Sequence, residues 1–224
     1  MKIALVTDVY GETNNGTCIT ARRLVEGMKA RGHEVTVISP YVCDEPGYVT
    51  LQKRQFPAFQ HYIESNGVSF AQPDEAVLRR GMEGCDVVHF LMPFKVGQTG
   101  MRLAREMGIA YTTAFHCQPE NITGHIFLLH AGFANRMIYR RFWRTFYKDA
   151  HFVHCPSQFI ANQLVENGYD LDMRVISNGV APIFHHKEVA RPADAGDTIR
   201  VLFVGRYSPE KRHDLLIDAV KQSQ

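Results

Sequence analysis

The sequence has few of the features that mark secreted, membrane-spanning or nucleic-acid-binding proteins. Its five cysteines are widely spaced and include no Cys-x-x-Cys pair, which indicates reduced thiols rather than a disulfide framework. No apolar run approaches the roughly 20 residues that span a bilayer, and residues 1–6 are too short a run for a signal peptide. A net charge of +2 gives no global field that would attract nucleic acid. We therefore expect a soluble, cytoplasmic protein without a nucleic-acid partner.

Motifs for metal ions and dinucleotides are also missing. The histidines show neither the His-Glu-x-x-His spacing nor the pairing with cysteines that predicts a metal site, so no metal and no cofactor are expected. No Gly-x-Gly-x-x-Gly fingerprint opens the first predicted helix, which disfavours a dinucleotide-dependent dehydrogenase. The sequence does contain 45% hydrophobic residues, which is ample for a packed core.

Short apolar runs alternate with amphipathic stretches along the chain. Strands are predicted at residues 3–7, 35–39, 86–91, 109–114, 152–155 and 173–176. Helices are predicted at residues 17–31, 75–82, 98–107, 133–149 and 158–167. This alternation predicts an α/β fold with a doubly wound parallel sheet. We expect one domain over residues 1–184, a polar linker at 185–197, and a truncated second domain at 198–224 that begins with a strand at 199–204.

Polar side chains follow two of the predicted strands, at the sheet edge where open parallel sheets bind ligands. The first strand is followed by Asp8, Tyr10 and Asn15. The strand at 109–114 is followed by His116, Gln118 and Glu120. A histidine in this position can hydrogen-bond a substrate or exchange a proton near neutral pH. Alternatively, it only orders its loop.

Three further residues are candidates for binding phosphate. Gly16 precedes the first helix, where a residue without a Cβ lets a phosphate approach the N–H groups at the positive helix end. The alternative is that Gly16 merely turns the chain. Arg206 and Lys211 bracket a turn between a strand and a helix, which suits a diphosphate. Cations on a loop are also compatible with simple solvation.

The predicted helix at 133–149 combines arginines with aromatic residues. One flank carries Arg136, Arg140, Arg144 and Lys148, with Arg141 beside them, and the aromatic residues share the opposite arc. A basic, aromatic helix of this kind can lie on an anionic membrane surface. The alternative is a helix whose aromatic residues pack in the core and whose charged face is simply solvated.

Four segments, in this order, resemble glycosyltransferase family 4, whose enzymes have the GT-B fold. They are residues 2–16 (KIALVTDVYGETNNG), 31–37 (RGHEVTV), 175–180 (VISNGV) and 204–211 (VGRYSPEK). Their order and spacing over the whole chain carry the resemblance. It implies that the first domain is the Rossmann-like acceptor-side domain of a GT-B enzyme, and that residues 198–224 begin the donor-binding domain.

The resemblance also implies an activity and roles for the candidate residues. The complete protein would transfer a hexose from a nucleotide sugar, a UDP- or GDP-sugar, without a bound metal. Gly16, Arg206 and Lys211 would contact the donor diphosphate, and His116 would contact the transferred sugar. The acceptor would lie against Asp8, Tyr10, Asn15, Gln118 and Glu120. The residues that grip the donor sugar belong to a later part of the second domain in this family, so we expect this chain alone to be inactive.

The identity of the acceptor stays open at this stage. The basic helix favours a lipid or lipid-linked acceptor, with the protein bound peripherally to the inner face of a membrane. A soluble sugar or polysaccharide acceptor fits the same fold. A different class of function is also compatible with the sequence, namely a non-catalytic module that binds a membrane surface or a partner.

Overall fold

The computed structural model describes residues 1–11, 15–56, 69–124, 132–188, 196, 199–205, 207 and 211–223, without the side chains of residues 121 and 124. The chain divides into two compact units, Met1–Ser177 and Asn178–Gln224. This division lies just before the linker predicted at 185–197. The domain limits predicted at 184 and 198 remain predictions.

A seven-stranded sheet runs through the first unit. Its strands are β1 (Lys2–Val6), β2 (Glu34–Ser39), β3 (Tyr48–Thr50), β4 (Val87–Phe90), β5 (Ala110–Ala114), β6 (Phe152–Cys155) and β7 (Asp172–Val175). The spatial order is β3-β2-β1-β4-β5-β6-β7, and every neighbouring pair is parallel. The doubly wound parallel sheet is therefore confirmed. The strand order reverses between β1 and β4, and this switch point is where sheets of this kind bind ligands.

Helices connect the strands close to the predicted positions. They are α1 (Gly16–Ala30), α2 (Glu75–Met82), α3 (Lys95–Glu106), α4 (Pro119–Gly124), α5 (Gly132–Thr145), α6 (Gln158–Glu166) and α7 (His213–Gln222). Helix α1 is capped by Asn15, whose side chain accepts a hydrogen bond from the N–H of Thr17 at 2.9 Å. It ends before Gly32, which has the left-handed φ of +79° that favours glycine after a helix.

The predicted helix at 133–149 is shorter than expected. Helix α5 ends at Thr145, and a separate 3₁₀ turn covers Tyr147–Asp149. Phe146 lies between them with φ −144° and ψ −64°, outside helical geometry. Its ring is fully buried in the core, so the break follows from how the chain packs this side chain.

The core lies on both faces of the sheet, because successive side chains of a strand point to opposite sides. Ala4 and Val6 of β1 face the larger cluster, whereas Leu5 faces the smaller one. The larger cluster is completed by residues of four helices, among them Leu78, Leu103, Tyr139, Phe142 and Leu164. Helix α1 contributes Cys18, Ala21 and Val25 to the smaller cluster. Both faces therefore bury apolar side chains, as a parallel sheet requires.

The second unit differs from its prediction. Helix α7 is present, but no residue of it is buried. Residues 199–204 form no strand, so the predicted strand is wrong for this chain. A strand needs the N–H and C=O groups of a neighbour, and the described part of this unit offers no second strand.

Candidate functional site

The switch point of the sheet contains a cavity of about 190 Å³, here called the switch-point cavity. It lies where the segments after β1 and β4 meet the start of α3 and one flank of α5. Its walls combine a carboxyl group, three cations and several aromatic rings: Asp8, Arg54, Lys95, Arg141, Phe94 and Phe142. Of the predicted acceptor-side residues, only Asp8 lines it.

Asp8 lines the switch-point cavity and is itself buried, with only 2% of its surface exposed. Its Oδ1 accepts a hydrogen bond from the N–H of Ala71 at 3.2 Å, and its Oδ2 is buried without any hydrogen-bond partner. Burial raises the pKa of Asp8 to about 7, against the lowering effect of the Ala71 bond. Near neutral pH the carboxyl group can therefore either donate or accept a hydrogen bond at Oδ2.

Three cations surround the same cavity. Arg54, Lys95 and Arg141 have exposed side chains, and none forms an ion pair with any residue that the structure describes. Lys95 is also the first residue of α3, whose N-cap, Phe94, supplies no side-chain hydrogen bond to the N–H groups of the first turn. The positive end of the helix therefore adds to the positive charge around the cavity.

Aromatic rings form a continuous row along the cavity. The ring centres of Phe70 and Phe94 lie 5.0 Å apart in an edge-to-face arrangement, and those of Phe94 and Phe142 lie 6.1 Å apart. The ring of Phe56 extends the row, with its centre 5.6 Å from that of Phe70 and the guanidinium of Arg54 over its face. The cavity is thus apolar along one wall and cationic at its rim.

His116 follows β5, as predicted, but it does not line the switch-point cavity. Its ring contacts that of His154, with the ring centres 5.5 Å apart, and its Nε2 is buried without a partner. Burial, together with the nearby His154, lowers the pKa of His116 to about 4. The imidazole is therefore neutral at physiological pH. It is suited to hydrogen bonding, and less to proton exchange near neutrality.

The other predicted acceptor-side residues have protein partners. Tyr10 packs against Tyr41, with the ring centres 5.7 Å apart. Gln118 donates from Nε2 to Oε1 of Gln163 at 2.8 Å. Glu120 accepts a hydrogen bond from the hydroxyl of Tyr139 at 3.1 Å. Asn15 caps α1. The structure does not bring these four side chains together with Asp8 at the cavity, and their role in acceptor binding stays a prediction.

The predicted phosphate-binding residues are described only in part. Gly16 is exposed, and a Cβ placed on it would meet nothing within 4 Å. Its φ is not left-handed, so neither packing nor backbone geometry within this chain requires glycine here. Lys211 is exposed in the second unit, and Arg206 lies outside the described residues. Their contact with a diphosphate stays a prediction.

Helix α5 divides sharply into a buried and an exposed arc. Asn135, Tyr139 and Phe142 are buried, so the rings of Tyr139 and Phe142 pack in the core, as one of the two sequence interpretations expects. The exposed arc carries Arg136, Arg140, Arg141 and Arg144, continued by the exposed Lys148, and none of these pairs with an acid among the described residues. We call this arc the basic face.

Two apolar residues lie within the basic face. Phe133 is 78% exposed and Met137 is 56% exposed, four residues apart and therefore on the same side of α5. They were not predicted from the sequence, although their helical spacing relative to Arg136, Arg140 and Arg144 places them on the same side of the helix. The basic face is therefore amphipathic in its own right, with two exposed apolar side chains on the same side of the helix as the arginines.

Two kinds of feature, a metal site and a membrane-spanning helix, are absent from the residues that the structure describes. No group of three or more His, Cys, Asp or Glu side chains in this part of the chain could hold a metal ion. No helix there is long and apolar enough to cross a membrane.

Comparisons with known proteins give a consistent family. The family model "Glycosyltransferase Family 4" matches residues 14–182. An alpha-monoglucosyldiacylglycerol synthase of Streptococcus pneumoniae is 23% identical over 80% of this chain and 41% of its own length. An uncharacterized glycosyltransferase of Methanocaldococcus jannaschii is 32% identical over 99% of this chain and 57% of its own length. A GDP-mannose-dependent alpha-mannosyltransferase of Mycolicibacterium smegmatis is 24% identical over 96% of this chain and 59% of its own length. The chain thus spans about half the length of these relatives.

Proposed function

Because the chain belongs to glycosyltransferase family 4, we propose that it is the acceptor-side part of an enzyme that transfers a hexose from a UDP- or GDP-sugar to a lipid on an anionic membrane surface. The observation that carries the lipid part of this proposal is the basic face of α5. The name of the Streptococcus pneumoniae relative, a monoglucosyldiacylglycerol synthase, supports the same kind of acceptor.

The basic face has the composition of a membrane-docking surface. Arginines near an anionic membrane surface contribute about 1 kcal/mol each to binding, so the four arginines of α5 give a useful affinity together. Phe133 and Met137 can insert among the acyl chains because they are exposed on the same side of α5 as the arginines. Since Tyr139 and Phe142 hold the opposite arc in the core, the helix presents this surface without leaving the fold.

The transfer reaction breaks a sugar–phosphate bond, and negative charge builds up on the departing nucleotide. Within this proposal, the open backbone at Gly16 and the cations Arg206 and Lys211 stabilise that charge, which removes the need for a metal ion. His116 donates a hydrogen bond to the transferred sugar as a neutral imidazole, since its pKa of about 4 keeps it uncharged. The side chain therefore orients the sugar rather than acting as a proton carrier.

Cosedimentation of the chain with lipid vesicles tests the membrane part of the proposal. The chain should bind phosphatidylglycerol vesicles more strongly than phosphatidylcholine vesicles, and salt should weaken that binding because it screens the charges. A variant with Arg140, Arg141 and Arg144 changed to Ser should lose the binding. A control that changes Arg22, Lys29 and Arg80 to Ser removes the same charge from exposed positions outside α5, and it should bind like the native chain.

Absence of vesicle binding would contradict the membrane part of the proposal. If neither the native chain nor the control binds anionic vesicles, the basic face is only solvated. The acceptor would then be a soluble glycan, which was the alternative left open by the sequence.

A further inference from the structure

We propose that the switch-point cavity binds the phosphorylated polyol head of the acceptor. This inference rests on the proposed function, because it names the chemical class of the acceptor that the enzyme would glycosylate. It is carried by three observations: unpaired cations, an unpartnered buried carboxyl oxygen, and the position of Arg141 in both the cavity and the basic face.

The cations lining the cavity are the reason why we expect the ligand to carry a phosphate. Arg54, Lys95 and Arg141 come from three separate segments of the chain and line one cavity, and none has an acidic partner among the described residues. Like charges repel one another, so three cations that line one cavity and form no ion pair with a described residue favour an anionic ligand. The start of α3, which has no side-chain cap, adds N–H donors of the kind that bind phosphate at helix ends.

Asp8 is the reason why we expect the ligand to carry hydroxyl groups. Asp8 lines the cavity, and its Oδ2 is buried without a hydrogen bond, an arrangement that normally costs stability and that a ligand hydroxyl would relieve. A bound phosphate nearby would favour the protonated form of this carboxyl group, whose pKa is already raised to about 7 by burial. The protonated group would then donate to the ligand instead of repelling it.

The dimensions of the cavity favour a head group over a larger ligand. At about 190 Å³ it is smaller than the roughly 300–1,000 Å³ pockets that enclose drug-sized molecules, so it suits a polyol phosphate better than a nucleotide sugar. Arg141 also belongs to the basic face, which places the cavity beside the surface proposed to contact the membrane. A head group held in the cavity would therefore leave its acyl chains at that surface.

A binding experiment separates this inference from the membrane proposal. The soluble probe is glycerophosphoglycerol, the deacylated head of phosphatidylglycerol, titrated into the ¹⁵N-labelled chain and followed by NMR shifts. The lipid probes are vesicles that contain either phosphatidylglycerol or phosphatidylserine at equal negative charge. One variant changes the cavity residues Arg54 and Lys95 to Gln. The matched control changes Arg136 and Arg144 to Gln, which removes the same charge from the basic face away from the cavity.

We expect glycerophosphoglycerol to shift the amide signals around Asp8 and Ala71, with an affinity at least 5-fold weaker in the cavity variant and unchanged in the control. We expect a preference for phosphatidylglycerol over phosphatidylserine that the cavity variant loses. The control should bind both kinds of vesicle less well but keep the preference.

Two results would separate the hypotheses. If the cavity variant binds glycerophosphoglycerol as well as the native chain does, the head-group site is wrong, even where vesicle binding depends on Arg136 and Arg144 as proposed. If the soluble probe binds through Arg54 and Lys95 but no vesicle binds, the cavity assignment stands. The source of the ligand is then a free polyol phosphate, and the membrane part of the proposed function fails.

Discussion

Asp8 and His116 are both withdrawn from water, and burial moves their pKa values in opposite directions because it disfavours the charged form of each. Asp8 becomes easier to protonate, with a pKa of about 7, and His116 harder to protonate, with a pKa of about 4. Each also keeps one polar atom without a protein partner. These two side chains therefore have hydrogen-bonding capacity that the fold itself does not use.

Changing Asp8 to Asn should alter how stability depends on pH. The folded-state pKa of Asp8 lies above its ordinary value of 3.8, so the folded state retains a proton that the unfolded state has lost. As the pH rises from about 4 to 7, the free energy of unfolding of the native chain should fall by about 1.4 kcal/mol per pH unit relative to that of the Asn variant. Urea unfolding of both proteins at pH 5, 6 and 7 measures this difference. A difference that stays constant over this range would show that the Asp8 carboxyl is not buried as described.

His116 should be required for transfer but not for membrane binding. In the protein that carries this chain, His116→Ala should reduce the transfer rate by about 100-fold, the usual effect of removing a hydrogen bond that forms in the transition state. His116→Gln should restore part of the rate, because an amide can still donate a hydrogen bond. Vesicle binding should be the same in all three proteins. An unchanged rate in His116→Ala would favour the non-catalytic module that the sequence also allowed.

Single residues were predicted unevenly from the sequence. Asp8 and His116 could be identified because each lies within two residues of the end of a predicted strand. Arg54 and Lys95 could not, because they lie far from Asp8 in the sequence and become neighbours only through the strand order of the sheet. Exposed cations are common on protein surfaces, and nothing in the sequence around these two sets them apart.

At the scale of elements, α5 combines two surfaces with different roles. Its arginine flank and its aromatic arc follow directly from the helical period, and both were predicted. The end of the helix at Thr145 was not, because the backbone break at Phe146 depends on where that ring packs. Short β3 was also missed: three residues are too few to show an alternating pattern, and its pairing with β2 depends on the neighbouring strand.

The two arcs of α5 should respond differently to the same change. Phe133→Ala should leave the free energy of unfolding nearly unchanged, because the side chain is 78% exposed, but it should weaken binding to anionic vesicles. Phe142→Ala should cost about 3–5 kcal/mol, because it leaves a cavity in the core. Urea unfolding and vesicle cosedimentation of both variants provide the comparison. Vesicle binding that is indifferent to Phe133→Ala would mean that this ring does not enter the membrane.

At the scale of the whole molecule, the alternation of strands and helices was sufficient to predict a doubly wound parallel sheet. It did not predict which strands are neighbours, and the switch point between β1 and β4 became visible only in the structure. The strand predicted at 199–204 shows the converse limit. An apolar run is compatible with a strand, but whether a strand forms depends on a partner that the described part of the second unit does not supply.

Following a labelled sugar tests whether the acceptor is a membrane lipid. The protein that carries this chain is incubated with radiolabelled UDP- and GDP-hexoses in the presence of phosphatidylglycerol vesicles, and the products are partitioned between organic solvent and water. We expect label in a lipid of the organic phase, and less of it when Arg140, Arg141 and Arg144 are changed to Ser. Label that appears only in water-soluble glycans, at the same rate in the native protein and in the triple variant, would contradict a lipid acceptor.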